Sequence, residues 1–284
     1  MVDPAPGPSG GTELVASFFT LAGAGFGQPP RNTFVQRCEA AAAAGLAGIG
    51  LHTDDLARTR ASGLDPAGMR RVNLRLVEIG FIDGWALDVD AVLFAAAVAE
   101  VEAVADLFGG RHVSAGEFRP GHLDLDAAAT RLADVADRLD QRGLLVALEA
   151  FPWSAINNVG TAAELLRRAG SVNAGLMVDV WHFFNGGAAL DALDGLPAAG
   201  VAAVQLNDGP LVQTDFLRHA RAARRLPGEG DLDVVGLVRA VQETGFGGPW
   251  CVEVNTPEFR ALPVEAAAKA AADAALTVLD AARR

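Results

Sequence analysis

The feature that most constrains this chain is an apolar run that ends in a carboxylate and then recurs. Residues 144–187 read LLVALEAFPWSAINNVGTAAELLRRAGSVNAGLMVDVWHFFNGG. One apolar run stops at Glu149, a segment of helical character follows, and a second apolar run stops at Asp179. Uninterrupted apolar runs of this length fit parallel strands buried on both faces. The separation of the two acids matches one strand–helix–strand unit, so neighbouring strands would deliver two carboxylates to one place. Buried carboxylates are costly without a partner, and the natural partner for two that converge is a hard cation.

The same alternation runs through the chain. Strand-like runs lie at residues 14–19, 46–51, 74–79, 112–115, 144–148, 175–178, 201–206 and 250–254. Ala-, Leu- and charge-rich segments of helical period separate them, as at 35–44, 89–107, 125–141, 162–169, 232–244 and 264–282. Gly45, Gly143, Gly170, Gly200 and Gly245 stand where helices should stop. Eight such units predict an α/β protein, a (β/α)8 TIM barrel forming a single domain from residue 13 to 284. Residues 1–12, rich in Pro and Gly, read as a disordered tail. The GAGFG run at 23–27 spaces its glycines wrongly for a dinucleotide fingerprint and reads as a loop.

Charge and cysteine usage narrow the partners. A net charge of −12 leaves nothing to neutralise phosphates, which argues against nucleic acid and against an anionic membrane surface. The uncharged stretch at 14–30 lacks the basic flank of a signal peptide, and its glycines and prolines break it as a span. Cys38 and Cys251 have no metal-ligand spacing and frame no disulfide network, so a cytoplasmic setting is expected.

In a barrel of this kind the C-terminal strand ends face the active site. Those ends offer Glu149 after VAL, Asp179 after LMV, Gln205 after AAV and Glu253 after WCV. Four oxygen donors on four consecutive strands favour one Mg²⁺ or Mn²⁺ over Zn²⁺. A polar layer that merely closes the barrel mouth is the alternative. His52 and Glu78, at the ends of the second and third runs, are further candidates to line the pocket, and Trp153 offers an apolar wall. Residues 209–230 exceed what one strand–helix unit needs and read as a lid.

Several segments carry a wider likeness: LEAFPW (148–153), MVDVWH (177–182), VQLND (204–208), RRLPGEGDLD (224–233) and GPWCVEV (248–254). With them the chain resembles the sugar phosphate isomerase/epimerase family of xylose isomerase-like TIM barrels, from residue 14 to the C-terminus. The resemblance implies a Glu, Asp, His, Glu metal set, here Glu149, Asp179, position 205 and Glu253. Position 205 departs from the sugar epimerases, because Gln205 stands where they carry histidine. The same glutamine is found in the 3-dehydroshikimate dehydratase branch. The resemblance further implies that His182, in D-x-x-H, contacts substrate. An arginine of the R-x-x-P-G-E-G loop would do so too, with Arg224 the candidate and Arg225 its rival.

The chemistry implied is metal-assisted removal of a proton α to a carbonyl, through an enediolate, by Glu149 and Glu253 on opposite sides of the ion. Return of the proton gives isomerisation or epimerisation of a keto-sugar or cyclitol. Expulsion of a β-hydroxyl gives dehydration, as in 3-dehydroshikimate or inosose dehydratases, with a cyclic keto acid among the substrates. A non-catalytic sugar-binding barrel is the alternative outside enzymes. An apurinic endonuclease of the same fold would need a histidine-rich zinc site, and the chain has five histidines in all. A small-molecule substrate is expected, and a homo-oligomer is compatible with the sequence.

Overall fold

Eight parallel strands close on themselves in chain order. They are β1 (Leu14–Ala16), β2 (Gly48–His52), β3 (Arg75–Ile82), β4 (His112–Ala115), β5 (Leu145–Glu149), β6 (Ala174–Asp179), β7 (Val201–Leu206) and β8 (Trp250–Val252). The barrel shuts where Leu14 of β1 pairs with Trp250 of β8. The computed structural model describes residues 12–63, 65–87 and 89–284, so the expected tail lies outside the described residues except for Thr12.

Local chemistry explains where the outer helices begin. Asp90, Asp124, Asn158 and Asp233 accept backbone N–H groups at the first turns of Ala91–Phe108, Leu125–Asp140, Val159–Ala169 and Val234–Glu243. Of the expected glycine stops, Gly45, Gly143, Gly170 and Gly245 take left-handed φ. Gly200 instead ends a 3-10 turn, Ala198–Gly200, that leads directly into β7.

Several strand boundaries differ from the sequence reading, three of them in ways that bear on the site. The first strand stops at Ala16, because Ser17 opens the short helix Phe18–Ala22. The last strand stops at Val252, so Glu253 is the first residue beyond it. The third strand continues to Ile82, which puts Glu78 inside β3 rather than at its end. The segment expected as a lid contains the helix Phe216–Ala222.

Side-chain alternation along a strand sets the floor of the site. Two residues before Glu149, Asp179, Gln205 and Glu253 come Ala147, Met177, Ala203 and Cys251, all buried. Ala147, Met177 and Ala203 pack together, and Cys251 packs with Val15 and Val77. The polar groups at the mouth therefore rest on an apolar barrel interior. Burial drives the Cys251 thiol well above its usual pKa, which keeps it protonated. Among the described residues no helix is long and apolar enough to cross a membrane.

Candidate active site

Glu149 and Asp179 are the last residues of β5 and β6, Gln205 is the penultimate residue of β7, and Glu253 follows β8. The register pairs Asp179 with Gln205 directly. Glu149, Gln205 and Glu253 line one cavity of about 130 Å³, together with His52, Glu78, Trp153, His182 and Arg224. Of the residues singled out from the sequence, Asp179 and the rival arginine, Arg225, do not line this space. Asp179 lies just beneath, 1% exposed, and touches Arg224 and His182.

His182 is in the first turn of a short helix, Val180–Asn185, rather than in a loop. Asp179 caps that helix, its Oδ1 accepting the His182 N–H at 2.9 Å. Burial pushes the His182 imidazole down to about 3, so the ring is neutral. Its Nε2 lies 2.8 Å from Arg224 Nη2, and arginine can only donate, so Nε2 accepts and the ring proton sits on Nδ1. The Nε2 lone pair therefore faces the same centre as the carboxylates, 3.6 Å from Glu149 Oε1.

Arg224 occupies the middle of the cluster. Its Nη1 donates to Asp179 Oδ2 at 2.9 Å and to Glu253 Oε2 at 2.7 Å. Arg225, the rival position, is exposed and donates to the Glu229 carbonyl at 3.1 Å. Backbone pairing decides between them. Asp208 N donates to Arg225 O at 3.0 Å and Arg225 N to Asp208 O at 2.9 Å, which zips the returning loop to the end of β7 and turns Arg224 inward.

The site is rich in acids. Glu78, Glu149, Asp179 and Glu253 share it with one buried guanidinium, that of Arg224. Burial raises Glu149 well above the usual carboxylate range, with Glu253 and Asp179 pushing the same way. Burial also raises Glu253, to about 7, although Arg224 opposes the shift. The 13% of the Glu253 side chain that stays exposed belongs to the cavity wall. Burial disfavours the Arg224 charge, but Asp179, Glu253 and Glu149 outweigh it and hold its pKa above the ordinary value.

These features fit a divalent cation. One guanidinium leaves the carboxylates under-compensated, and a doubly charged ion matches them better. Glu149, Asp179 and His182 offer ligand atoms that all lie within 4.8 Å of one another. The Gln205 Oε1 is buried with no hydrogen-bond partner, an acceptor oxygen left free in the cluster. Its Nε2 donates to Glu78 Oε2 at 2.9 Å and to Glu253 Oε1 at 3.3 Å.

Apart from Trp153, the other contributors were not singled out from the sequence. Asn207 bridges Asp179 and the next helix: its Nδ2 donates to Asp179 Oδ2 at 2.7 Å and its Oδ1 accepts Trp181 N–H at 2.9 Å. Two residues from Gln205, it shares that side of the strand, a parity that could have flagged it. His112 lies under Glu78, Nε2 to Oε2 3.6 Å, and burial lowers its pKa. An aromatic wall runs from Phe81 through Phe118 and Phe151 to Trp153, with centroid spacings of 4.9, 4.8 and 5.2 Å. Its members come from three separate strand ends, so no sequence spacing announces it.

A closed parallel barrel of eight strands with carboxylates gathered at its C-terminal mouth places the chain among the (β/α)8 TIM barrels. More narrowly, this chain belongs to the xylose isomerase-like TIM barrel family, whose model matches residues 38–280. A 3-dehydroshikimate dehydratase of Pseudomonas aeruginosa is 34% identical over 139 residues, 49% of this chain and 22% of that protein. An inosose isomerase of Halalkalibacterium halodurans is 27% identical over 150 residues, 52% of each chain. The matches thus span about a fifth and about half of the length of these two curated relatives. A crystal structure of the IolI protein with a bound zinc atom superposes with a TM-score of 0.84 at 17% identity, covering 95% of this chain and 99% of that one. At that identity the likeness speaks for the fold.

Proposed function

We propose that this chain is a divalent-metal-dependent isomerase or epimerase that moves a proton α to the carbonyl of a keto-sugar or cyclitol. The observation that carries the reading is that Glu149, at the end of β5, and Glu253, just past β8, line one cavity together with Gln205. Glu149, Asp179, Gln205 and Glu253 would hold one Mn²⁺ or Mg²⁺, a set whose oxygens suit those ions. When bound, the ion would act as a Lewis acid that makes the α-proton of a carbonyl substrate more acidic.

The protein side of the chemistry falls to a few groups. One of the two glutamates takes the α-proton and the other delivers a proton to the opposite face. Freed from Asp179 and Glu253 when the ion occupies them, Arg224 binds a substrate oxygen, and the neutral His182 contacts another. The aromatic wall and the helix Phe216–Ala222 exclude water from the cavity. Both curated relatives carry names of carbonyl chemistry on polyhydroxylated rings, which supports this assignment.

A second reading, dehydration of a cyclic keto acid, is favoured by Glu78. This third carboxyl group lines the cavity outside the four-donor set, bonded to Gln205 and backed by His112. In this reading Glu78 hydrogen-bonds the departing hydroxyl. The relative named a 3-dehydroshikimate dehydratase points the same way.

One experiment tests both. The Mn²⁺-loaded protein is incubated in D₂O with ketoses, inososes and 3-dehydroshikimate, the metal is chelated, and ¹H NMR is recorded. Deuterium at a single carbon without water loss supports the first reading, and water loss supports the second. No exchange and no elimination across the panel would reject the carbonyl chemistry and leave a binding barrel.

A further inference from the structure

The helix Phe216–Ala222 overlies the cavity and presents Leu217, Ala220 and Arg221 to it. Outside lies a wider hollow of about 810 Å³ that shares Phe26, Trp153, Leu217 and Arg221 with the cavity. The outer hollow is lined by three arginines, Arg218, Arg221 and Arg260. Two of these are engaged: Arg218 lies 3.5 Å from Asp215, and Arg260 donates to Asn255 Oδ1 at 3.0 Å. Arg221 has no acid or carbonyl partner among the described residues. Its guanidinium carbon sits 5.1 Å from the centroid of the Phe26 ring.

Arg221 is an exposed cation at the mouth of an acidic cavity. The chain carries a net charge of −12, and the cavity it opens onto is lined by Glu78, Glu149 and Glu253. Resting on an aromatic ring holds the guanidinium in place without consuming its N–H groups, which stay available for a two-pronged grip on an oxyanion. Arg221 also lies close to the reacting end. Two residues separate it from Arg224, so their Cα atoms are at most about 11 Å apart, and both side chains line the inner cavity.

We propose that Arg221 selects substrates bearing an anionic oxygen group, a carboxylate or a phosphate. It anchors that group at the junction of the two hollows while the carbonyl end enters the cavity, an inference that rests on the carbonyl chemistry proposed above. A neutral ketone uses the inner cavity without this anchor.

The test uses the full chain loaded with Mn²⁺ and the variants Arg221→Met and Arg221→Lys, with circular dichroism to confirm folding. Three probes are titrated by calorimetry: 3-dehydroshikimate, with a ring carboxylate; fructose 6-phosphate, with a phosphate; and an inosose, without charge. At least one anion is expected to bind the parent, and Arg221→Met to weaken it at least tenfold relative to the inosose, with Arg221→Lys intermediate. Which anion responds identifies the group. Equal losses for charged and neutral probes, no loss, or no saturable binding of either anion overturns the proposal. Solvent exchange of substrate protons is followed in parallel. Anion-selective binding that depends on Arg221 without exchange keeps the anchor and removes the carbonyl chemistry. Exchange of inosose protons with no anion preference does the reverse.

Discussion

The Arg224 guanidinium straddles the Asp179 carboxylate, Nη1 lying 2.9 Å from Oδ2 and Nη2 3.3 Å from Oδ1. Arg224 is the cation that the clustered acids hold in this structure, and the same nitrogen reaches Glu253. Its removal leaves buried carboxylates without a counter-charge, a loss that typically costs about 3–5 kcal/mol. The metal-free Arg224→Ala protein is therefore expected to unfold at clearly lower temperature than the parent. Mn²⁺ should restore most of the difference, and kcat/KM of the loaded variant should fall by about 1–3 kcal/mol of transition-state binding. Calorimetric melting with and without Mn²⁺ checks the first part. Equal melting temperatures for the two metal-free proteins would show that the guanidinium is not their counter-ion.

The elevated Glu253 carboxyl gives a pH dependence with a definite sign. Its folded-state value of about 7 lies above the ordinary 4.5, chiefly through burial. Between those values the folded protein keeps a proton that the unfolded chain has lost. This contribution to stability is fully present below pH 4.5 and is lost as pH rises through 7. Relative to Glu253→Gln, the metal-free parent should lose about 3 kcal/mol across that window. Denaturant unfolding of both proteins from pH 4.5 to 8 measures it, and Mn²⁺ should flatten the profile by displacing protons. A parent that gains stability relative to the variant over the same range would mean that Arg224 already keeps Glu253 ionised.

Much of this architecture is legible in the sequence because each barrel unit repeats one physical pattern. The runs at 112–115 and 201–206 coincide with β4 and β7, and the final helix spans Val264–Ala282 as read. Boundaries slipped at single strands. The first gives way after Ala16 to the short helix Phe18–Ala22, and β3 runs past Glu78 because the chain beyond it stays paired with β2 and β4. In the site, the strand-end rule located Glu149, Asp179, Gln205 and Glu253, but it could not separate Arg224 from Arg225. The backbone pairing of Asp208 with Arg225 does that, and it is a tertiary event. Trp153 was read as one side of an apolar wall, but Phe81 and Phe118 were not, since they meet Phe151 only after the barrel closes.

His182 was read as a substrate contact, yet its Nε2 faces the centre that Glu149 and Asp179 share. The expectation is that His182→Ala keeps one Mn²⁺ per chain and raises KM, and that below the ordinary value of 6.5 the metal-free parent loses stability that the variant keeps, because the folded ring stays neutral down to about 3 while the unfolded one takes up a proton. Metal analysis after gel filtration, beside steady-state kinetics, decides. Loss of the ion would place His182 in the metal shell and remove Gln205 or Glu253 from it.

The loop that delivers Arg224 hangs on one carboxylate. Asp208 Oδ1 accepts the N–H of Gly209 at 2.7 Å and of Leu232 at 3.1 Å, and Oδ2 accepts that of Gly228 at 3.1 Å. The turn packs so closely that a Cβ on Gly230 would land on the Asp208 carboxylate and the Gly209 amide. Backbone cannot yield as a flexible side-chain tip can, so Gly230→Ala must lift the loop away from β7. The variant should lose about 1–3 kcal/mol of stability through the disturbed hydrogen bonds. Displacement of Arg224 should cost kcat/KM a further factor of about 10–100, as misplacement of a binding group does. Gly247→Ala serves as the control, because a Cβ there meets nothing within 4 Å. Asp208→Asn keeps the shape but weakens the acceptor and should fall between the two. Melting temperature, metal content and kcat/KM for the three variants separate a loosened loop from a lost ion. Parent-like kinetics in Gly230→Ala would show that Arg224 reaches the cavity without the Asp208 cradle.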